Sequence, residues 1–133
     1  MGISKELFTV LFLIDSLDKE ATISNLAKSV YHVKEDFNYK ISFDFVEEKG
    51  SFRSLDFEEF MNILLLNDII EMKQNLFKKE YYFLTSFGER LLKELQEKGT
   101  KESLATPKKF ISRYYKSITN EVKILPDRLI TIF

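Results

Sequence analysis

The chain has 133 residues, 20 Lys and Arg against 21 Asp and Glu, 44% apolar residues and no cysteine. That is the make-up of one folded domain with a short appendage, not of a disordered chain or of two full cores. Without cysteine there are no disulfides or thiolate metal sites, which suits a reducing compartment, and a cytoplasmic protein is expected.

No apolar run is long enough to span a bilayer. The opening MGISKELFTVLFLID is broken by Lys5, Glu6 and Asp15 and is followed by no small-residue cleavage site, so no signal peptide is expected. Thirteen Phe and six Tyr stand beside only four Gly and two Pro. Turns should therefore be few and helix dominant. The near-neutral total hides an asymmetry: residues 1–100 carry 13 cations against 18 carboxylates, and residues 101–133 carry 7 against 3. Any contact with nucleic acid would accordingly fall to a basic turn or to the tail.

Ser4 suits the N-cap of a first helix running to about Leu17, with Leu7, Val10, Leu11 and Ile14 at helical spacing. Phe8, Phe12 and Leu13 make it apolar nearly all round. Such a helix is either central to the core or partly covered by another subunit. Asp18, Lys19 and Glu20 form a polar turn, and Thr22 caps a second helix with Ile23, Leu26, Ala27, Val30 and Tyr31 inward.

The tight turn of a helix-turn-helix pair does not follow, because Lys34 to Arg53 intervenes. Within that insert Tyr39, Ile41, Phe43 and Phe45 alternate with Lys40, Ser42 and Asp44, the period of a half-buried strand or extended loop, and Gly50 ends it. A third helix starts near Ser54 or Asp56 and runs to about Asn67, with Phe57, Phe60, Met61, Leu64 and Leu65 as its core stripe.

Ile69 to Lys73 and Tyr81 to Thr85 read as two strands joined by the basic turn QNLFKKE. Ser86 with Glu89 makes a capping-box pattern for a fourth helix, which Gly99 stops. GTKESLAT, residues 99–106, has linker composition. Thr106 and Pro107 then open a fifth helix with Phe110, Ile111, Tyr114, Tyr115, Ile118 and Val122 on one face, ended by Pro126 before the apolar tail LITIF. The division expected is a domain over 1–98, a linker over 99–106, and over 107–133 a helix and tail that pack on the domain or on a partner.

GSFRSLD, then FEEFMNILLLNDIIE, a hairpin, and YYFLTSFGERLL resemble the second half of small bacterial and archaeal winged helix-turn-helix proteins. Their pattern is a helix ending in a "glIe" turn, a wing, and Y-x-L-T-x-x-G before the last helix. Asp68-Ile69-Ile70-Glu71 and Tyr82-Phe83-Leu84-Thr85-Ser86-Phe87-Gly88 occupy those positions, and the likeness covers residues 4–98. It implies a mainly α, α+β fold: a winged helix-turn-helix domain with a two-stranded wing and, in this chain, an additional C-terminal helix. With its long insert and aromatic appendage the chain is also similar to the small winged-helix middle components of ABC-type three-component defence systems, which accompany a large ATPase. That likeness implies a role inside a protein complex.

The residues depart from a DNA-reading pattern. A helix lying in the major groove presents Arg, Lys, Asn, Gln or Ser to base edges and phosphates. Here the side opposite the core stripe carries Leu55, Glu59, Asn62, Ile63 and Leu66, with Glu58 alongside and Arg53 before the helix start. An acidic, aliphatic face of this kind suits a protein contact.

The remaining candidates divide between chemistry and scaffold. His32, the single histidine, lacks a nucleophile at a telling spacing and is expected to cap the end of the second helix. Glu47, Glu48, Asp56, Glu58 and Glu59 read as solvated carboxylates, since a hard-cation site needs ligands converging from several positions. The four glycines lie far apart, so there is no phosphate loop. Arg53 is a candidate nucleic-acid contact, and Lys73, Lys78 and Lys79 serve either phosphate contact or solvation. Lys109, Arg113 and Lys116 with Tyr114 and Tyr115 either track a nucleic acid or form an amphipathic helix whose tyrosines bury against protein.

The expectation is a non-catalytic interaction module binding a protein partner or a second copy, with no cofactor, metal, small molecule or membrane. The alternative is a transcriptional regulator that contacts DNA through the wing and the fifth helix.

Overall fold

The computed structural model describes residues 2–36 and 38–98. The expected linker, fifth helix and tail lie outside them. Among the described residues the fold is mixed α+β and mainly helical, with four α-helices and two small antiparallel two-stranded sheets. In chain order these are α1 (Gly2–Leu17), a 3-10 turn (Asp18–Glu20), α2 (Ile23–Asp36), β1 (Val46–Glu48), β2 (Ser51–Arg53), α3 (Leu55–Leu66), β3 (Ile70–Gln74), β4 (Glu80–Leu84) and α4 (Ser86–Lys98).

α1 is the centre of the core. Phe8, Val10, Leu11, Leu13, Ile14 and Leu17 are all buried, and the helix touches α2, β4 and α4. Most of its apolar side chains thus find cover inside one domain, with Leu7 and Phe12 half-buried. The helix begins at Gly2, so Ser4 lies within its first turn and not at the expected cap. Thr22 does cap α2: its Oγ1 accepts the Asn25 amide at 3.1 Å. Ala21 and Thr22 also lie along β4, with the Tyr82 amide donating to the Ala21 carbonyl at 2.9 Å and Thr22 bridging Tyr81.

The alternating insert is an extended loop, with Tyr39, Ile41 and Phe43 buried and Lys40, Ser42 and Asp44 exposed. Two polar anchors hold it. Glu6, buried on α1, accepts from both the amide and the hydroxyl of Ser42 at 2.6 and 2.9 Å, and Lys34 donates to the Phe43 carbonyl at 2.6 Å. The loop then enters a hairpin absent from the sequence reading. β1 and β2 pair Val46 with Arg53 and Glu48 with Ser51 across a Lys49-Gly50 turn. Lys49 and Gly50 both take positive φ, 52° and 82°.

Phe52 fixes this hairpin to α2 by stacking on Tyr31, ring centroids 4.2 Å apart, with His32 edge-on at 5.6 Å. His32 is consequently not the terminal cap expected from sequence. α2 continues a full turn beyond it to Asp36, whose carboxylate lies 3.1 Å from its Nδ1.

α3 starts where Ser54 Oγ accepts the Phe57 amide at 3.1 Å. It ends in a Schellman arrangement, with Ile69 N donating to Leu64 O and Asp68 N to Leu65 O at 3.0 and 3.2 Å, and Asp68 left-handed at φ 58°. β3 and β4 pair Ile70 with Leu84 and Gln74 with Glu80. α4 is capped one residue earlier than the capping-box pattern suggests: Thr85 Oγ1 accepts the Gly88 amide at 3.0 Å. The same hydroxyl lies 2.6 Å from the Asp68 carbonyl oxygen and 3.0 Å from that of Ile69. Its second contact, with the α3–β3 turn, is one the exposed Ser86 lacks the position to make.

Candidate protein-interaction face

α3 positions the candidate face. Phe57, Met61 and Leu64 are buried, with Phe60 and Leu65 half-buried beside them. Positions 55, 59, 62, 63 and 66 then fall together on the opposite side of a 3.6-residue helix. All five are exposed. Leu55 keeps 78%, Ile63 48% and Leu66 85% of their surface in solvent. Three large aliphatic side chains along one short helix face, spaced by Glu59 and Asn62, make an apolar stripe with polar interruptions.

The N-terminal end of this face is acidic. Asp44, Glu47, Glu48, Asp56 and Glu59 are exposed, and Glu58 is half-buried. Arg53, the one cation next to them on β2, lies 3.4 Å from the Glu58 carboxylate. Its charge is therefore partly committed to α3 and less available to a phosphate.

Two shallow grooves flank β2 and share Arg53 and Ser54. One, of about 330 Å³, is walled by Ile23, Ala27, Phe52 and Phe57. The other, of about 450 Å³, is lined by Val46 and Leu55 with Asp44, Glu48 and Asp56. The exposed Val46 extends the apolar surface past the start of α3. Among the described residues no three carboxylate or imidazole side chains converge as a metal site would require.

The lysines expected on the β3–β4 hairpin divide. Lys73 lies over the Phe83 ring at 5.1 Å and 3.5 Å from Glu71, so its charge is shared locally. Lys78 and Lys79 are exposed at the tip. Asn75 shapes that tip. It is buried, and its Oδ1 accepts the amides of Phe77 and Lys79, both at 2.9 Å, while Lys78 takes φ 61°. Leu76 and Phe77 are left in solvent.

Sequence reasoning passed over those two residues because they sit inside a polar turn, although two adjacent large apolar groups in a seven-residue loop are a visible oddity. It also passed over Val46, whose exposure follows from the unforeseen β1–β2 hairpin. Lys109, Arg113, Tyr114, Tyr115 and Lys116 lie outside the described residues.

Burial pushes the phenols of Tyr39, Tyr81 and Tyr82 above their ordinary value. For Tyr82 the carboxylates of Glu80 and Glu58 add to the effect. Among the described residues no helix is long and apolar enough to cross a membrane. Comparison with protein-family models, with curated proteins and with solved structures gives no match.

Proposed function

We propose that this chain is a non-catalytic protein-interaction module of the winged helix-turn-helix type, an adaptor or regulatory subunit that offers the outer face of α3 to a protein partner. The observation that carries the reading is the pairing of exposed Leu55, Ile63 and Leu66 with an acidic surround. Aliphatic side chains in water gain roughly 25 cal/mol per Å² when a partner covers them. The carboxylates around them would meet the phosphates of a duplex with like charge.

The winged-helix assignment draws support from the element order α1, α2, α3, hairpin, α4, from Asp68 in its left-handed turn, and from Thr85 and Gly88 at the start of α4. The long insert is a built element with its own hairpin. That feature agrees with the similarity to the middle components of ABC-type three-component defence systems, where the partner would be a large protein of the same complex.

A photo-crosslinking amino acid at Leu66, introduced into the full chain in its native host, tests the reading. A single discrete adduct that disappears when Ile63 is changed to Glu supports it. A monomer that forms no adduct and binds DNA tightly sinks it.

A second reading, a DNA-binding regulator, rests on the exposure of Lys78 and Lys79 at the hairpin tip. It requires affinity that falls steeply with salt. If Lys78→Glu with Lys79→Glu leaves DNA affinity unchanged, this version is lost.

A further inference from the structure

We propose that a second copy of this chain docks on the N-terminal end of the face: the β3–β4 tip of one protomer seats Leu76 and Phe77 in the groove of the next, against Val46 and Leu55. The inference rests on the reading of that face as a protein-binding surface and names the partner for one end of it.

Each half has what the other lacks. The tip carries two adjacent large apolar side chains, Leu76 and Phe77, 83% and 64% exposed, with Lys78 and Lys79 exposed directly after them. The groove of about 450 Å³ has Val46 and Leu55 as its apolar lining, 66% and 78% exposed, with Asp44, Glu48 and Asp56 around them. Seating one in the other takes four apolar side chains out of water in a single contact. Among the described residues the other exposed apolar side chains outside α3 and this groove, Met72 and Phe87, stand singly in the sequence.

Charge complementarity selects the pairing. Residues 75–79 hold two cations and no carboxylate, and Glu80 beyond them is bonded to Gln74 at 3.4 Å. The groove holds three carboxylates against Arg53, which itself lies 3.4 Å from Glu58. Lys34 approaches Asp44 at 3.7 Å, which leaves Glu48 and Asp56 to meet the lysines of an incoming tip. A phosphate backbone would match Lys78 and Lys79 and leave Leu76 and Phe77 uncovered. The groove matches all four.

Both halves are shaped before they meet. Lys78 N donates to Asn75 O at 2.9 Å and Asn75 N to Lys79 O at 3.0 Å, in addition to the bonds of the Asn75 side chain. The Ser54 cap and the stacking of Phe52 on Tyr31 hold the two sides of the groove. Little ordering entropy is then lost on docking. Tip and groove each stand open on their own chain, so their contact needs two chains. It is heterologous, and copies add head to tail. Leu66 lies about 16 Å along α3 from Leu55, so the far end of the face stays available to a separate partner.

Static light scattering on the purified full chain, at concentrations reaching about 1 mM so that a weak contact is populated, reads the assembly. The expected result is a weight-average mass that climbs with concentration from the 15.7 kDa of one chain. Lys78→Glu with Lys79→Glu should hold the mass at one chain. So should Leu76→Ser with Phe77→Ser and, on the groove, Glu48→Lys with Asp56→Lys. An equal mixture of the two charge-reversed variants should regain the parent's climb, because acidic tips then meet basic grooves. Helical circular dichroism equal to the parent's reports that each variant folds.

A parent that stays at one chain overturns the proposal. A tip or groove variant that assembles as the parent does, or a mixture of folded charge-reversed variants that stays monomeric, overturns it as well. A monomeric parent can still give a discrete crosslink at Leu66 to a different protein, which would keep the reading of the face. Assembly without any such crosslink would instead keep the contact between copies and remove the separate partner.

Discussion

Gly88 faces the carbonyl oxygen of Ile69 so closely that a Cβ at position 88 would collide with it. The start of α4 and the α3–β3 turn thus meet backbone against backbone, and Thr85 ties the same two segments through its hydroxyl. Backbone cannot yield as a flexible side chain can. Gly88→Ala should cost about 2–3 kcal/mol, at the upper end for overpacking. That would lower Tm by roughly 10–20 °C for a domain of this size. Thermal unfolding followed by circular dichroism measures it, and an unchanged Tm would contradict the contact.

Asp68 holds a left-handed conformation in the turn that ends α3. A side chain there costs about 1–2 kcal/mol, which glycine avoids at the expense of a more flexible unfolded chain. Asp68→Gly should stabilise the protein by a net of about 0.5–1 kcal/mol. Urea unfolding should show a higher midpoint at an unchanged slope.

The anchor between Glu6 and Ser42 separates into two parts. Ser42→Ala removes the hydroxyl bond and leaves the amide bond, so a loss of about 1 kcal/mol is expected. Glu6→Ala removes both and strands a loop amide, for about 2–3 kcal/mol. Hydrogen exchange at the Ser42 amide should accelerate in the second variant and change little in the first.

Alkaline pH should destabilise the domain. The phenols of Tyr39, Tyr81 and Tyr82 have folded pKa values above the unfolded value of 10.0, principally because burial disfavours the phenolate. The stability they contribute is complete below pH 10 and is lost as pH rises through the folded values. Tyrosinate absorbance should therefore rise in two phases, the later one coinciding with loss of helical circular dichroism. A single smooth titration near pH 10 with the fold intact would refute the burial.

Substitutions on the outer face of α3 should separate stability from binding. Leu66→Glu and Ile63→Glu alter exposed positions, so unfolding free energy should stay within about 0.5 kcal/mol of the parent. Partner capture should nevertheless disappear.

Helices α1 to α4 and the β3–β4 hairpin were legible because their patterns are long. Phe57, Met61 and Leu64 repeat at helical spacing, and Ser54 and Thr22 announce their caps as residue types. The β1–β2 hairpin was not, since three-residue strands reading VEE and SFR carry no usable period. Its stability comes from Phe52 on Tyr31, a contact between residues far apart in sequence. Thr85 and Ser86 are equally good caps by type. What selects Thr85 is its reach to the Asp68 and Ile69 carbonyls, a tertiary relation that no local pattern encodes. For the candidate face, the five outward positions of α3 could be read from the helical period alone. The acidic groove beside them could not, because it depends on where β1 brings Glu48 and Val46.

Asn75 completes the β3–β4 turn by accepting the amides of Phe77 and Lys79 with its own side chain, and the turn calls on the side chain of neither Leu76 nor Phe77. The turn's geometry and its surface chemistry are consequently written in different residues. Leu76 and Phe77 form a cassette that can be exchanged without rewriting the loop, so this tip can be randomised in a library while the scaffold beneath it stays the same.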